Sequence, residues 1–339
     1  MLFCQVELGP INMYMLKFCS QPWDTINIYN NGDISACLCQ NWNFRDIIGN
    51  LHQNSLADIM QSPGVMEFKE SIISQKFNHC NFGTCGKVWN MDQVDNLDNL
   101  DHLPKLPTTI MLAIDNNCNL RCASCRSGNI YTTEVNQNAY KVLKNLEENY
   151  KNFDLPVKIF CDGSGDIFAS AAYQKWFREG NIPKCFNFTL TTNGNLLTKN
   201  LDLIDQLSTT CNLEVVISLD AATSETYKQI RGGNFEIVLE GIQQLANRRI
   251  RTLTQYVVQA ENYREISDYV ELCKGLAVRF IGLQKITRWP HMNDDWWVKN
   301  NLDDNPNVDY NFLKQALDKI NSDALCVLCG GLQRLRTGR

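Results

Sequence analysis

The chain has 339 residues, 44% of them hydrophobic and 20% charged, and a formal net charge of −5. That length holds one large domain and a smaller one, each with a buried core. The acidic balance excludes the basic footprint of a nucleic-acid or anionic-membrane binder, and no apolar run is long enough to span a bilayer. The first residues, Met1-Leu-Phe-Cys-Gln, lack the charged and apolar segments of a secretory signal, so a cytoplasmic protein is expected.

Fifteen cysteines stand out in a chain too large to need disulfide staples. In a reducing compartment, cysteines at short regular spacing read as metal ligands. Cys4, Cys185 and Cys273 are isolated and read as small buried hydrophobes. Most of the others fall in groups.

Residues 1–90 hold one such group: Cys19, Cys37, Cys39, Cys80 and Cys85. Gly32-Asp33, between an Asn-rich and a β-prone stretch, predicts a hairpin turn. Ser55–Met60 and Val65–Ser74 have the pattern of short helices. Residues 91–108 are rich in Asp, Asn and Leu and end Leu-Pro-Lys-Leu-Pro, which reads as a linker.

From Thr109 the pattern turns regular. Short runs rich in Val, Ile, Leu or Phe predict buried strands at Thr109–Ile114, Val157–Cys161, Phe186–Thr191, Leu213–Leu219, Leu253–Val258 and Arg279–Leu283. Segments of helical length and spacing lie between them, as in Val135, Ala139, Leu143, Leu146 and Tyr150. The alternation implies an α/β fold of parallel strands with right-handed crossovers. Six units in residues 109–290 suit a partial (βα)6 barrel, with a doubly wound sheet as the other solution. Residues 291–339 form a C-terminal extension, helical around Phe312–Ile320 and ending in Cys326-Val-Leu-Cys329. That last pair reads equally as a redox couple, a metal half-site or neither.

The chemistry is expected directly after the first of these strands, in Asp115-Asn-Asn-Cys118-Asn-Leu-Arg-Cys122-Ala-Ser-Cys125. Loops at the C-terminal ends of parallel strands are where ligands sit. Three thiolates in one loop can hold three irons of a 4Fe–4S cubane and leave the fourth open to a small molecule. The alternative is a zinc site completed by a distant fourth ligand.

The spacing Cys118-x-x-x-Cys122-x-x-Cys125 resembles the signature of the radical S-adenosylmethionine (SAM) superfamily. It departs in having Ser124 where many members have an aromatic residue. The resemblance implies that SAM binds the open iron and is cleaved by one electron to methionine and a 5′-deoxyadenosyl radical. That radical then abstracts hydrogen from substrate. Gly163-Ser164-Gly165-Asp166, after the second strand, is similar to the family's Gly-Gly-Glu-like segment for the amino group of SAM. Thr191-Thr192-Asn193-Gly194 and Ser218-Leu219-Asp220 are similar to its ribose-binding segments, which makes Asn193 and Ser218 candidates. Tyr227 and Arg231-Gly232-Gly233 continue the likeness. Gln259, Asn262, Gln284 and Trp289 are placed to face substrate or adenine.

Cys19-x12-Gly32-x4-Cys37 resembles the opening of SPASM and twitch auxiliary-cluster modules. The resemblance implies that Cys19, Cys37, Cys80 and Cys85 hold an auxiliary 4Fe–4S cluster, with Cys39 as a competing ligand and a four-cysteine zinc module as the alternative. The implied enzyme is a radical SAM oxidoreductase or peptide- or sugar-modifying enzyme acting by dehydrogenation, peptide modification or epimerisation. Its implied partners are a small-molecule or peptide substrate and an electron donor such as flavodoxin or ferredoxin, with no nucleic acid and no membrane. Cys161, at a strand end, is a candidate hydrogen donor in the epimerase variant. The competing class is a non-catalytic zinc- or iron–sulfur-binding interaction protein.

Overall fold

A computed structural model describes residues 16–37, 47–80, 85, 92–94, 103–125, 131–162, 165–289, 292–303, 305–329 and 331–337. Twelve strands occur among them: β1 (Leu16–Phe18), β2 (Thr25–Tyr29), β3 (Asp33–Ala36), β4 (Ile47–Asn50), β5 (Asp92–Val94), β6 (Thr109–Ala113), β7 (Val157–Cys161), β8 (Phe186–Thr192), β9 (Leu213–Ser218), β10 (Arg251–Val258), β11 (Phe280–Lys285) and β12 (Cys326–Cys329). Strands β6 to β11 are the six expected from the apolar runs. β1 and β5 form a separate antiparallel pair.

The remaining ten strands make one sheet in the order β12-β11-β10-β9-β8-β7-β6-β2-β3-β4. From β12 to β2 every neighbour is parallel. Chain order and spatial order agree along this run, so the sheet is singly wound. A doubly wound sheet reverses its strand order at a switch point, and this one does not. Right-handed crossovers then place the connecting helices on one face. The alternating burial along the strands matches. Ile110, Leu112, Ile159, Cys161, Phe188, Leu190, Val215 and Ile217 share a core with helix residues such as Val142, Leu146, Trp176 and Leu203.

The helices begin where side chains can receive their first N–H groups. Asn136 accepts from Ala139 N before the helix Gln137–Tyr150, and Ser170 accepts from Tyr173 N before the helix Ala171–Glu179. On the first helix Ala139, Val142, Leu143, Leu146 and Tyr150 form one buried stripe. Trp176 of the second helix meets Phe188 of β8 edge to face at 5.7 Å. Its indole N–H donates to Glu147 at 3.2 Å, so the buried polar atom is satisfied.

Two features extend the sheet beyond the six expected strands. The N-terminal region does not form a separate layer: β2 pairs in parallel with β6, and β2, β3 and β4 continue the sheet as an antiparallel meander. Gly32 turns the hairpin at φ +82, and a Cβ there would stand 2.7 Å from the His52 ring. At the other edge, β12 adds a parallel strand after the helix Tyr310–Asn321. No helix among the described residues is long and apolar enough to cross a membrane.

Candidate active site: the cysteine loop and the strand ends

Cys118, Cys122 and Cys125 lie on the loop that leaves β6. Asn117 closes that loop. Its side chain donates to the Thr132 carbonyl at 2.6 Å and accepts from the Thr132 N–H at 3.1 Å, so it pairs with the backbone as a neighbouring strand would. Asp115 holds the entry: one oxygen accepts from Asn117 N and the other from the Ser170 hydroxyl at 2.6 Å. Within the loop Cys125 N donates to Cys122 O, and Ala123 N donates to Ile230 O at the end of the helix Ser224–Ile230.

The loops after β7 and β8 pack onto this one. Gly165 lies so close that a Cβ would stand 2.3 Å from the Asn117 carbonyl oxygen. The Asp166 N–H donates to that same carbonyl at 2.8 Å. The Asp166 carboxylate is buried and accepts from Phe168 N, from the Thr192 hydroxyl and from Asn193 N, the last two at 2.7 Å. Burial pushes this carboxyl up and the donors oppose the shift. Asn193 in turn donates to Asn119 at 2.9 Å and reaches the Cys118 sulfur at 3.8 Å.

Charge reaches the thiols from the far side. Asp220, after β9, is buried with φ +57. One of its oxygens accepts from Val257 N and the other pairs with Arg231 Nε at 2.9 Å. Arg231 Nη1 donates to the Cys122 sulfur at 3.4 Å. Burial works against the Arg231 charge, but Asp220 and then Cys122 outweigh it and raise its pKa. Burial, with Asp166 and the other two thiols adding to it, pushes the Cys118 thiol up to about 11. A thiol so placed asks for a cation to stabilise its ionised form.

Two of the N-terminal cysteines, Cys37 and Cys80, share a second core beside the β2–β3 hairpin. Phe18, Trp23, Ala36, Cys37, Phe68, Ile72 and Phe77 form a small core of their own, with Cys80 against it. Gln75 fastens β1 to this core, donating to Lys17 O at 2.8 Å and accepting from Lys17 N at 2.9 Å. Cys37 takes φ +71, and Asn27 donates to its carbonyl at 2.8 Å. Burial, and then Cys85, push the Cys80 thiol up to about 11.

Comparison with known families gives both parts a name. The model of the radical SAM superfamily matches residues 113–273, and that of SPASM, an iron–sulfur cluster-binding domain, matches residues 19–87. The chain carries a radical SAM domain and a SPASM iron–sulfur domain. Its cofactors are accordingly a 4Fe–4S cluster with SAM and an auxiliary iron–sulfur cluster in the SPASM region. A GTP 3′,8-cyclase of Alkaliphilus metalliredigens is 28% identical over 189 residues, 52% of this chain and 56% of that protein. A probable GTP 3′,8-cyclase of Methanococcus aeolicus is 30% identical over 93 residues, 27% of this chain and 30% of that protein. The chain thus spans about half or less of the length of the curated relatives it matches. Streptococcus suis SuiB bound to the precursor peptide SuiA shares the fold at a TM-score of 0.50 and 15% identity, over 92% of this chain and 73% of that one. SuiB bound to SAM does so at 0.50 and 14%, over 95% and 73%.

The donor set suits these radical SAM cofactors. Three thiols share one closed loop, and N–H groups of Arg231 and Asn193 approach two of the sulfurs, as thiolate ligands require. Among the described residues no three His, Cys, Asp or Glu side chains could hold a single metal ion. A cubane does not need that convergence, because each thiolate binds a different iron.

Several residues sit otherwise than the pattern implies. Asp166 faces protein donors rather than an open ligand site, so it serves to join three loops. Asn262 is likewise occupied: it donates to Asp220 O and Val257 O and accepts from Gln259 N. Cys161 is on the helix-facing side of β7 and packs in the main core, away from the inner face where a hydrogen donor would stand. Cys326 and Cys329, three apart on a strand, point to opposite faces, which rules out a shared disulfide or metal half-site. Gly163, Ser164 and Cys39 lie outside the described residues. Asn117, Asp115 and Asp220 carry the architecture of the site and were not singled out as site residues from sequence. Their common signal is a small polar residue beside a strand end.

Proposed function

We propose that the chain reductively cleaves SAM at a core cluster held by Cys118, Cys122 and Cys125 and uses the resulting radical to abstract hydrogen from a peptide or sugar-like substrate. The carrying observation is the closed loop that gathers the three cysteines at the C-terminal ends of the parallel strands. When bound, the reduced cluster and SAM supply a 5′-deoxyadenosyl radical. The protein's part is to hold, orient and enclose. Gly165 lies against the cysteine loop, and Gly163, Ser164 and Gly165 take the amino end of SAM, with Asp166 fixing the position of Gly165. Asn193 and Ser218, at the ends of neighbouring strands, take the ribose. Cys19, Cys37, Cys80 and Cys85 hold the auxiliary cluster. An external one-electron donor of the flavodoxin or ferredoxin kind completes the cycle.

The sheet face opposite the helices supports this choice of substrate class. Toward its C-terminal end that face carries Tyr29, Thr191, Ser218, Gln255 and Gln284, all uncharged and partly exposed. On β7, β9 and β10 the charged residues of that face, Lys158, Glu214 and Arg251, sit at the opposite ends of their strands, and the last two pair with each other at 2.7 Å; Asp33 of β3, beside Tyr29, adds an acid and no cation. Hydroxyls and amides of this kind suit a neutral polar substrate. A nucleoside triphosphate, the competing substrate on the precedent of the cyclase relatives, favours cationic side chains.

The test is anaerobic reconstitution with iron and sulfide, followed by SAM and dithionite. 5′-Deoxyadenosine is the expected product, and replacing Cys118, Cys122 and Cys125 together by alanine should abolish it. Full-rate cleavage by that variant would overturn the assignment, and GTP consumption under the same conditions would redirect the substrate class.

A further inference from the structure

We propose that Arg231 sets the reduction potential of the core cluster through its hydrogen bond to Cys122, with Asp220 as the buried counter-charge that aims it. This rests on the assignment of that cluster to Cys118, Cys122 and Cys125 made above.

Arg231 follows the helix Ser224–Ile230 and its side chain is only 15% exposed; that of Asp220 is 4% exposed. The guanidinium is held from two sides. Nε meets Asp220 at 2.9 Å and Nη1 meets the Cys122 sulfur at 3.4 Å. Neither partner can drift. Asp220 is tied to Val257 N at 2.6 Å, and the cysteine loop is tied to the helix end by Ala123 N and Ile230 O at 3.1 Å. An ion pair serving structure alone is complete with the carboxylate. Here the planar fork carries a second donor to a sulfur that ligates iron, and the charge is permanent because arginine does not deprotonate in proteins.

A cationic N–H on a ligating sulfur withdraws electron density from it. Adding an electron makes the cluster more negative, so the donor stabilises the reduced form and raises the potential. Hydrogen bonds to the sulfurs and local net charge are two of the levers that set cluster potentials. Burial strengthens both. Asp220 acts in the opposite sense, since its negative charge lies beyond the guanidinium and partly cancels it. The two residues therefore have opposite and separable effects on one equilibrium, the one-electron reduction of the oxidised cluster by an external donor.

The test is an EPR-monitored redox titration of the full, reconstituted chain with dithionite as reductant. The core cluster is the species whose signal changes on adding SAM, which separates it from the auxiliary cluster. Arg231→Gln should lower its potential by about 59 mV, the one-electron equivalent of a tenfold change in the equilibrium. Arg231→Lys keeps the charge and should lie between. Asp220→Asn, an isostere without the charge, should raise the potential. A structural defect has no reason to move the two variants in opposite directions. Unchanged potentials in variants with full cluster content, or shifts of the same sign, overturn the proposal. Where Arg231→Gln fails to assemble the cluster, Asp220→Asn decides, and a potential that does not rise overturns it. If the unaltered chain shows no SAM-responsive signal, the reading under Proposed function falls with it; if it does and the variants do not move, only this inference falls.

Discussion

Asn117 and Thr132 exchange two hydrogen bonds, 2.6 and 3.1 Å long, between an amide side chain and a peptide backbone. This pair turns the stretch that bears Cys118, Cys122 and Cys125 into a closed loop. Asn117 is 3% exposed, so neither bond is traded freely for water.

Asn117→Ala should therefore cost about 2 kcal/mol, since it removes two bonds and leaves the Thr132 N–H and carbonyl without these partners. Urea unfolding of the cluster-free chain measures the cost. Iron content after reconstitution should fall with it, because the three thiols lose their common frame. A variant that loads iron as well as the native chain would show that the loop holds its shape without this clasp.

Gly165→Ala addresses the contact between two loops. The new Cβ would meet the Asn117 carbonyl oxygen at 2.3 Å, and the obstacle is backbone that cannot rotate away. A loss of about 3 kcal/mol is expected, at the upper end of overpacking costs. SAM affinity should drop at least tenfold, the equivalent of about 1.4 kcal/mol. Equilibrium dialysis with labelled SAM checks it, and unchanged affinity would place SAM away from this loop.

The N-terminal cysteines should hold part of the iron independently of the core. Cys37→Ala combined with Cys80→Ala should remove about half of the iron per chain, on the basis of two clusters of equal size. The SAM-responsive EPR signal should persist. Iron content equal to that of the native chain would remove the auxiliary cluster from these residues.

A stability change with pH is expected at the start of β12. Lys274 pairs with Asp323 at 2.6 Å and holds its carboxyl below the usual aspartate range. A carboxyl with a depressed folded-state pKa adds stability that is present above its unfolded value and is lost as pH falls through the folded value. The gap in urea midpoint between the native chain and Asp323→Asn should be widest near neutral pH and close below the ordinary aspartate pKa. A gap that widens on acidification would contradict the pairing.

Much of this protein was legible one residue at a time. The strands β6 to β11 announce themselves as short apolar runs, because a strand buried on the helix side must be apolar there whatever its neighbours are. The hairpin at Gly32 needs a residue that tolerates positive φ, and the three-cysteine spacing is local chemistry. These belong to sequence because each depends on near neighbours in the chain. Other features depend on partners far away. That β2 extends the barrel sheet, that β12 closes its other edge, and that Cys326 and Cys329 diverge all follow from strand pairing across large separations. Asp166, in the segment similar to the one for the amino group of SAM, is buried among donors from its own loop and from the end of β8, and only the fold could bring the latter to it. Arg231 reaches Cys122 across 109 residues. Composition and spacing specify which groups are present, and only the folded chain brings a charge to a sulfur, because the energy of that contact depends on distance and burial that no linear pattern contains.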